Sequence, residues 1–319
     1  MHLGSIPQQL EAACRQAARV LLVGHREPDA DCLGALGAFA LYLEWCGVTV
    51  DLYCGTVAPP RLGFLPGISR LETSLHGPYT VVVVLDCGDL THAGITSERL
   101  RALGASVVGN IDHHRTNPRY GTHNLVRPEA SSTTEILYHY LRQQRAPMTP
   151  PLATALLAGI LGDTGGFRHP NTTPAVLATA AELVSAGADW HQLRKLTFQD
   201  KSVAMLQSWG RVLSRIVRHP AYDMAIAVVP RQDLVGAPDA AVAISGLANF
   251  LNTLGDVRAV LVLVEQADGT IRVSLRSRDP LLDVSAFATL GGGGGHKLAA
   301  GFTLKGRLVE LPPGWRIVT

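Results

Sequence analysis

The sequence has few charged residues, no excess of one sign and no long apolar run. Only 17% of its 319 residues are charged and the formal net charge is +2. This argues against binding of long nucleic acid, because neutralising many phosphates requires a strongly basic surface. The longest apolar runs, such as residues 80–85 and 259–264, have the length of a strand, whereas a membrane span needs about 20 apolar residues. With no secretory signal pattern at the amino terminus either, we expect no membrane partner.

Cysteine is also scarce and shows no pairing pattern. The five positions are Cys14, Cys32, Cys46, Cys54 and Cys87. An odd number without a C-x-x-C pair fits reduced core residues, and we therefore expect a cytoplasmic protein. Hydrophobic residues nevertheless make up 47% of the chain, so it can bury a large core and is long enough for two domains.

The first half of the sequence alternates between strand and helix patterns. The predicted strands lie at residues 20–24, 48–53, 81–85 and 106–111, and the predicted helices at 33–45, 132–141 and 174–186. Ser132 and Glu135 form a capping box at the start of one helix. Such apolar strands, separated by helices, indicate a parallel sheet that is covered on both faces and binds ligands at the carboxyl ends of its strands.

The second half has a different pattern. Residues 190–217 are mostly helical with mixed charge, and strand patterns then follow at 224–229, 259–265 and 271–278, with a helix pattern near 241–254. We therefore predict three parts. These are a catalytic α/β domain at residues 1–189, a helical linker at 190–220 and a smaller α/β domain at 221–319.

Residue types that commonly bind metals follow four apolar segments of the first domain. They are His25, Asp29 and Asp31 after the first strand, Asp86 after the 81–85 strand, the Asp112-His113-His114 triplet after the 106–111 strand, and Asp163 after the segment around Leu156. We count this last segment with the strand ends, although its composition also suits a buried helix. A single aspartate here is usually a helix cap and a single histidine a bonded core residue. Four such ends at one sheet edge instead predict a shared crevice.

Clustered carboxylates repel one another unless cations neutralise them, and four aspartates would balance two divalent ions. Oxygen ligands with one or two imidazoles suit Mn²⁺ or Mg²⁺ better than zinc. We therefore predict two divalent metal ions, with Mn²⁺ ahead of Mg²⁺. The alternative is a phosphate-binding loop at residues 24–34, but this segment matches neither G-x-G-x-x-G nor G-x-x-x-x-G-K-[ST].

This ordered set of motifs resembles the DHH phosphoesterase superfamily. The glycine run 291–295 with His296, preceded by S-L-R-S at 274–277, resembles the DHHA1 domain that accompanies it. The resemblance covers nearly the whole chain. In length and domain pair it is closest to the bifunctional oligoribonucleases and phosphatases of 3′-phosphoadenosine 5′-phosphate (PAP). It implies a parallel-sheet DHH domain and a smaller α/β DHHA1 domain, with the active site in the cleft between them.

The resemblance also implies roles for individual residues. One metal ion would have three ligands: His25, Asp29 and Asp86. The second would have four: Asp31, Asp86, His113 and Asp163. Asp86 would therefore bridge the two ions. His114 would face the scissile phosphate and Asp112 would orient the histidine pair, which makes these two residues and Asp86 the predicted catalytic group.

The second domain is expected to bind the far end of the substrate. Strand alternation places Arg272, Arg276 and Arg278 on one face of the strand. For Arg272 and Arg278 the alternative is that they lie on a solvated edge and bind nothing. The resemblance implies that Arg276 and Ser277 grip the substrate. A glycine run is most often a flexible linker, but we expect that Leu298-Ala-Ala begins a helix and that the N–H groups before it form an anion site. The predicted substrate-binding residues of this loop are Gly294, Gly295 and His296.

The predicted function is a two-metal phosphoesterase that hydrolyses very short oligonucleotides, linear dinucleotides and PAP, as a monomer or a homodimer. One alternative is a manganese-dependent inorganic pyrophosphatase, which would carry a basic motif in place of the His296 loop. A second alternative, from another class, is a non-catalytic nucleotide sensor. A sensor would have lost metal ligands, whereas every predicted ligand position of this sequence is filled.

Overall fold

Two units with different kinds of sheet make up the chain. They comprise Met1–Asp200 and Lys201–Thr319. The computed structural model describes residues 3–198, 202–234, 244, 246–311 and 314–318. The predicted 190–220 linker contains two helices, of which the first lies in the first unit and the second in the second unit.

A six-stranded parallel sheet forms the centre of the first unit. Its strands are β1 (Val20–Val23), β2 (Val50–Tyr53), β3 (Leu71–Glu72), β4 (Val81–Leu85), β5 (Val107–Asp112) and β6 (His123–Val126). They lie in the order β3-β2-β1-β4-β5-β6, and every neighbouring pair is parallel. This confirms the parallel α/β fold predicted from the apolar strand patterns.

Helices cover both faces of this sheet because its central strands are apolar on both sides. In β4, Val81 and Val83 pack into one core, whereas Val82 and Val84 pack into the other. The helices of the unit are α1 (Ile6–Gln16), α2 (Ala30–Trp45), α3 (Ser97–Ala102), α4 (Thr133–Gln143), α5 (Pro150–Asp163), α6 (Pro174–Ser185) and α7 (Trp190–Phe198), with short 3₁₀ turns at Pro60–Leu62 and Ile68–Arg70.

Helix α2 begins three residues before its predicted start because Asp29 caps it. The Asp29 carboxylate accepts hydrogen bonds from the backbone N–H groups of Asp31 at 2.9 Å and Cys32 at 3.0 Å. The helix then packs closely against α5. A Cβ atom at Gly34 would lie 2.4 Å from the carbonyl oxygen of Ala155, so only glycine permits this approach of the two helices.

The second unit contains a mixed six-stranded sheet and a separate hairpin. The strands are β7 (Val217–His219), β8 (Met224–Val229), β9 (Ala259–Glu265), β10 (Thr270–Ser277), β11 (Gly294–His296) and β12 (Ala299–Lys305), and the hairpin is β13 (Arg307–Leu311) and β14 (Gly314–Val318). The sheet order is β11-β12-β10-β9-β8-β7, in which β8 and β9 are parallel and the other pairs antiparallel.

The helices of the second unit are α8 (Val203–Leu213), α9 (Leu247–Leu251) and α10 (Val284–Leu290), with a 3₁₀ turn at Arg231–Leu234. Helix α9 accounts for part of the helix predicted at 241–254, while residues 241–243 and 245 lie outside the described residues. No helix in the described part of the chain is long and apolar enough to cross a membrane.

The segment around Leu156 forms helix α5, which confirms the helix that its composition suggested, so counting Asp163 with the strand ends is wrong. A second prediction is also wrong. The segment after the glycine run forms β12 and not a helix, although Leu and Ala favour helices. Strand pairing overrides that local preference, because β12 hydrogen-bonds to β10 on one side and to β11 on the other.

Candidate metal centre

The predicted ligands meet where the strand order reverses. In an open α/β sheet of this order, ligands bind at the carboxyl ends of the strands on either side of the reversal, which here are β1 and β4. His25 follows β1 after a single glycine, and Asp86 directly follows β4. Asp112 ends the next strand, β5. The topology alone therefore brings three of the motif segments to one edge.

Asp86 faces two histidines with its two carboxylate oxygens. Its Oδ2 lies 3.7 Å from Nε2 of His25, and its Oδ1 lies 3.6 Å from Nε2 of His113. On the His25 side, Oδ1 of Asp29 lies 3.8 Å from the same Nε2 atom. His25, Asp29 and Asp86 each have one ligand atom within 4.8 Å of the others, which is a spacing that suits one metal ion.

A second group of ligand atoms lies on the other side of Asp86. One ligand atom each of Asp31, His113 and Asp163 lies within 4.8 Å of the others. Nε2 of His113 is 3.1 Å from Oδ2 of Asp163, which reaches the centre from the last turn of α5. A further set, Asp86 with His113 and His114, has ligand atoms equally close and links the two groups, because it shares Asp86 with the first and His113 with the second. The structure thus brings all six residues predicted as metal ligands together. Their assignment as ligands stays a prediction.

The backbone of Asp86 adopts a left-handed conformation, with φ at 59°. Aspartate tolerates this region better than most residues, and strained positions of this kind cluster at functional sites. The backbone N–H of Asp86 still donates to the carbonyl oxygen of Ile111 at 3.0 Å, so the turn follows directly on the pairing of β4 with β5.

The first turn of α4 donates hydrogen bonds to two of these carboxylates. The hydroxyl of Thr133 donates to Oδ1 of Asp86 at 2.9 Å, and its backbone N–H donates to Oδ2 of Asp31 at 2.6 Å. The N–H and the hydroxyl of Thr134 both donate to Oδ1 of Asp31, at 3.0 and 2.6 Å. The amino terminus of a helix also carries positive partial charge, which favours anions. Sequence reasoning missed both threonines.

The signal that could have found the threonines is the capping box before them. Ser132 caps α4, since its hydroxyl accepts from the N–H of Glu135 at 3.0 Å, as predicted. The Glu135 carboxylate accepts from the N–H of Ser131 at 2.6 Å, one residue before the cap. A helix that starts with two threonines presents N–H and hydroxyl donors at one end, so it can bind a carboxylate or a phosphate.

Gly159 of α5 makes room for Asp31 and Thr134. A Cβ atom on Gly159 would lie 2.3 Å from Oδ1 of Asp31 and 2.3 Å from Oγ1 of Thr134. Any larger residue would force α5, Asp31 or Thr134 to shift. A glycine within the apolar pattern of a helix is the sequence signal for such a packing role.

His114 is held by a buried carboxylate, which is itself held by an amide. Its Nδ1 pairs with Oδ1 of Asp112 at 2.7 Å, and the same oxygen accepts from the N–H of His113 at 2.8 Å. The Nδ2 group of Asn117 donates to Oδ2 of Asp112 at 2.6 Å and also to the carbonyl oxygen of Cys87 at 3.2 Å. Asp112 therefore fixes the histidine pair, and Asn117, which sequence reasoning did not identify, fixes Asp112.

Burial and mutual repulsion raise the pKa values of the inner carboxylates. Burial and the charge of Asp163 raise the pKa of Asp31 to about 7. Burial and the charges of Asp31 and Asp29 raise the pKa of Asp86 well above its ordinary value. A site that disfavours ionisation of its own carboxylates is suited to cations, because a bound cation removes the repulsion.

The pKa values of two histidines of the centre are also raised, because the neighbouring carboxylates favour the charged form of the imidazole. Burial by itself would lower the pKa of His25, but the nearby carboxylate of Asp29 raises it to about 9. Burial likewise opposes charge on His113, yet Asp163 raises its pKa to about 9. At neutral pH without metal, protons on these rings therefore occupy the positions that cations would take.

Two further histidines contact the centre from outside the motifs. The ring of His92 stacks on that of His25 with centroids 5.0 Å apart. Nδ1 of His169 lies 2.9 Å from the carbonyl oxygen of Asp163, which also accepts from Nδ2 of Asn171 at 3.3 Å. Nothing in the sequence pattern marks these residues, because each reaches the centre through a loop.

The predicted substrate-binding residues lie in the second unit. Nε of Arg276 donates to Oδ1 of Asn249 at 2.8 Å, and burial together with the like charge of Arg272 lowers the Arg276 pKa. Ser277 is buried, and its hydroxyl donates to the carbonyl oxygen of Arg258 at 2.9 Å. Its contact with substrate stays a prediction.

Gly294, Gly295 and His296 form the exposed strand β11. The backbone of this glycine run requires glycine at several positions. Gly292 and Gly295 have φ at +74° and +141°, and a Cβ on Gly293 would lie 2.1 Å from the carbonyl oxygen of Gly301. Strand β11 pairs with β12 at the end of β12 that lies beside Arg276, because Ala299 faces both His296 and Arg276 in the register.

The fold and the paired acidic and histidine groups define a metal-dependent phosphoesterase. The N-terminal domain of the DHH family matches residues 19–160, and the DHHA1 domain matches residues 235–311. The chain belongs to the DHH family, in its form with a DHHA1 domain.

Curated relatives and solved structures agree with this assignment. The chain is 33% identical over 293 residues to the bifunctional oligoribonuclease and PAP phosphatase NrnA of Thermus thermophilus, with 90% of this chain and 84% of the relative covered. It is 31% identical to the probable NrnA of Streptococcus mutans, with 88% of each covered. The crystal structure of an exopolyphosphatase-related protein from Bacteroides fragilis matches with a TM-score of 0.80 at 22% identity, covering 93% of this chain and 90% of that one, which supports the fold.

Proposed function

We propose that this protein is a two-metal phosphoesterase that hydrolyses very short oligonucleotides to mononucleotides and PAP to AMP. The observation that carries the proposal is the position of Asp86, whose Oδ2 faces His25 and whose Oδ1 faces His113. One carboxylate can then contribute to two cation sites, which is the arrangement of a two-metal phosphoesterase. The names of the similar NrnA proteins supply the substrate class.

The residues present fit divalent cations. The first group offers one imidazole and two carboxylates, and the second group the same. Oxygen-rich sets with imidazole suit Mn²⁺ and also Mg²⁺, and we propose Mn²⁺. Two such ions would supply Lewis acidity and lower the pKa of a water molecule, so that it can attack phosphorus near neutral pH.

The chain's own groups would orient the substrate and handle the proton. With Nδ1 paired to Asp112, Nε2 is the atom through which His114 would donate a proton to the leaving oxygen or a hydrogen bond to the phosphoryl group. Hydrogen bonds from His114 and Asn117 lower the pKa of Asp112 to about 2, although burial opposes this. Asp112 therefore stays charged, and its Oδ1 keeps the ring of His114 in place through Nδ1.

In the second unit, we propose that Arg276 and the glycine loop with His296 bind a terminal phosphate. Arginine suits this task because its planar fork can pair with two phosphate oxygens. Binding of the terminal phosphate at a fixed position would explain a preference for very short oligonucleotides. The placement of the active site in a cleft between the domains, the domain boundaries and a cytoplasmic location stay predictions.

A direct assay tests the proposal. The purified protein is incubated with Mn²⁺ and, in parallel, with the dinucleotide pApA, with PAP and with pyrophosphate. We expect AMP from pApA and phosphate from PAP, and only slow turnover of pyrophosphate. Faster hydrolysis of pyrophosphate than of both nucleotides would overturn the substrate assignment and favour an inorganic pyrophosphatase. Tight nucleotide binding without turnover would indicate a sensor.

The Asp86→Asn variant tests the two-metal centre itself. Asparagine keeps the shape of the side chain and can still accept from Thr133, but it cannot supply two anionic oxygens. We expect kcat to fall by about 10³-fold or more, with an unchanged circular dichroism spectrum. Glu98→Gln, which neutralises an exposed carboxylate on α3, serves as the matched control and should retain full activity. Activity of Asp86→Asn equal to that of the control would contradict the bridging role.

A further inference from the structure

Arg26 lies across two glycines at the carboxyl edge of the parallel sheet. A Cβ atom on Gly55 would lie 3.0 Å from Cγ of Arg26, and a Cβ on Gly94 would lie 2.5 Å from its Nε. Gly94 also has φ at +71°, so glycine is required there on two grounds. The aliphatic part of Arg26 is therefore seated against backbone at both positions, and this limits the directions in which its exposed guanidinium group can point.

The backbone of Arg26 is coupled to a predicted metal ligand. Its carbonyl oxygen lies 2.6 Å from Nδ1 of His25, and its N–H donates to the carbonyl oxygen of His92 at 3.0 Å. The backbone of Arg26 thus holds the ring of His25, and its side chain provides a positive charge one residue after that predicted ligand.

The guanidinium group of Arg26 has no carboxylate partner among the described residues, although several carboxylates lie in the neighbouring centre. Other arginines of the first unit do form ion pairs. Arg19 pairs with Asp51 at 3.2 Å, and Arg70 pairs with Glu44. The Arg26 side chain also donates no hydrogen bond within the described part of the chain. An exposed and unpaired arginine beside an acidic metal centre is suited to an anionic ligand.

The Arg26 stem lies between two loops, since Gly55 comes two residues after β2 and Gly94 lies in the loop after β4 and Asp86. Under the proposed function, two substrate phosphates already have partners. The metal centre and His114 would bind the scissile phosphate, and Arg276 with the glycine loop would bind the terminal one. The phosphate left for Arg26 is therefore one that only longer oligonucleotides have.

We propose that Arg26 binds the additional bridging phosphate of oligonucleotides of three or more nucleotides. The inference rests on the proposed function and adds a second phosphate contact to it, in the first unit. A dinucleotide with a 5′-phosphate has one bridging and one terminal phosphate, whereas a trinucleotide has an additional bridging phosphate. Arg26 would therefore raise activity on the trinucleotide relative to the dinucleotide.

The test compares pApApA with pApA under Mn²⁺ in three variants. Arg26→Met keeps the stem over both glycines and removes the charge, and Arg26→Lys keeps a charge. Arg142→Ala removes an exposed arginine from the last turn of α4, at the end of that helix far from the centre, and is the matched control. We expect Arg26→Met to lower the ratio of kcat/KM for the trinucleotide to that for the dinucleotide by about tenfold, mainly through KM. Arg26→Lys should lower this ratio by a smaller factor, because it keeps the charge.

Salt dependence provides a readout that a purely structural role would not change. The value of kcat/KM falls as the salt concentration rises, and the slope of log(kcat/KM) against log[salt] becomes less steep when a phosphate contact is lost. For a single strand the slope changes by up to about 0.7 per contact. Arg26→Met should show this shallower dependence with pApApA, and Arg142→Ala should not. Arg26→Met with the ratio and the salt dependence of the control would overturn the proposal. An equal loss on both substrates, together with weaker Mn²⁺ binding, would also overturn it, because it would show a structural role at His25.

Equilibrium binding separates this inference from the proposed function. A phosphorothioate trinucleotide that resists hydrolysis is titrated into the wild-type protein and into Arg26→Met. About tenfold weaker binding by the variant supports the contact, even if the wild-type protein hydrolyses neither substrate. Equal binding contradicts it, even if the wild-type protein is fully active.

Discussion

The hydroxyl of Thr133 donates a hydrogen bond of 2.9 Å to Oδ1 of Asp86, the carboxylate that faces both groups of the candidate metal centre. Both residues are buried. The same threonine donates its backbone N–H to Asp31, so one residue at the start of α4 orients a carboxylate of each group. Partners of this kind fix the orientation of metal ligands and affect affinity almost as strongly as the ligands do.

Replacing Thr133 by valine should therefore weaken metal binding without unfolding the protein. Valine keeps the shape and the backbone donor but loses the hydroxyl, which leaves Asp86 with one fewer hydrogen bond. We expect about 10- to 100-fold weaker Mn²⁺ binding by isothermal titration and a similar loss of activity at low metal concentration. Thr133→Ser keeps the hydroxyl and should stay within about threefold of the wild type. Equal affinities of the valine and serine variants would show that the hydroxyl does not contribute.

Without metal, the stability of the protein should fall as the pH rises. The folded-state pKa of Asp31, at about 7, is above its ordinary value, so the folded state holds a proton that the unfolded state releases between about pH 4 and 7. The raised pKa values of His25 and His113 stabilise the fold below about pH 6.5, and this contribution is lost as the pH rises through about 9. Both effects have the same sign.

Thermal unfolding in EDTA between pH 6 and pH 9 measures this effect. We expect the melting temperature to fall by an amount on the order of 5 °C over this range, and Mn²⁺ to restore it most strongly at the alkaline end. Asp31→Asn removes one of the titrating groups, and its metal-free form should be more stable than the wild type at pH 8. A melting temperature in EDTA that rises with pH would contradict the assignment of these protons.

Gly159→Ala should damage the centre although alanine favours helices. In an exposed helix this substitution stabilises by up to about 1 kcal/mol. Here the added Cβ would lie 2.3 Å from both Asp31 and Thr134, and α5 or Asp31 must shift. We expect weaker Mn²⁺ binding and at least about tenfold lower activity. Gly210→Ala in α8, where a Cβ would meet nothing within 4 Å, is the control and should leave both unchanged. Normal activity of Gly159→Ala would contradict this prediction, because it would show that α5 can shift without disturbing the metal ligands.

Arg276→Ala should raise KM for short oligonucleotides by about tenfold, because it removes a charge-assisted hydrogen bond to a phosphate. Arg272→Ala is the matched control, since Arg272 lies on the same face of β10 but is exposed. KM and kcat for pApA are measured for both variants, and the Arg272 variant should resemble the wild type. If the two variants changed KM equally, the loss would reflect net charge and not a specific contact.

Local sequence patterns determined much of the fold. Apolar runs predicted β4, β8 and β9 at their observed residues, because buried strands of a covered sheet must be apolar on both faces. The Ser132 cap predicted the start of α4, because capping involves only neighbouring residues. The predicted metal ligands could be found for a similar reason, because each lies close to the end of a strand or helix pattern.

Only the tertiary structure decided how these residues are supported. The contacts of Asp31 with Thr133 and Thr134 join residues more than 100 positions apart, and Gly159 reaches the same carboxylate from a third helix. The pairing of β12 with β10 and β11 overrode a local preference for helix. Sequence patterns report which backbone conformation is favoured locally. Hydrogen bonds and close packing between distant segments depend on where the chain returns, and that is set by the whole core.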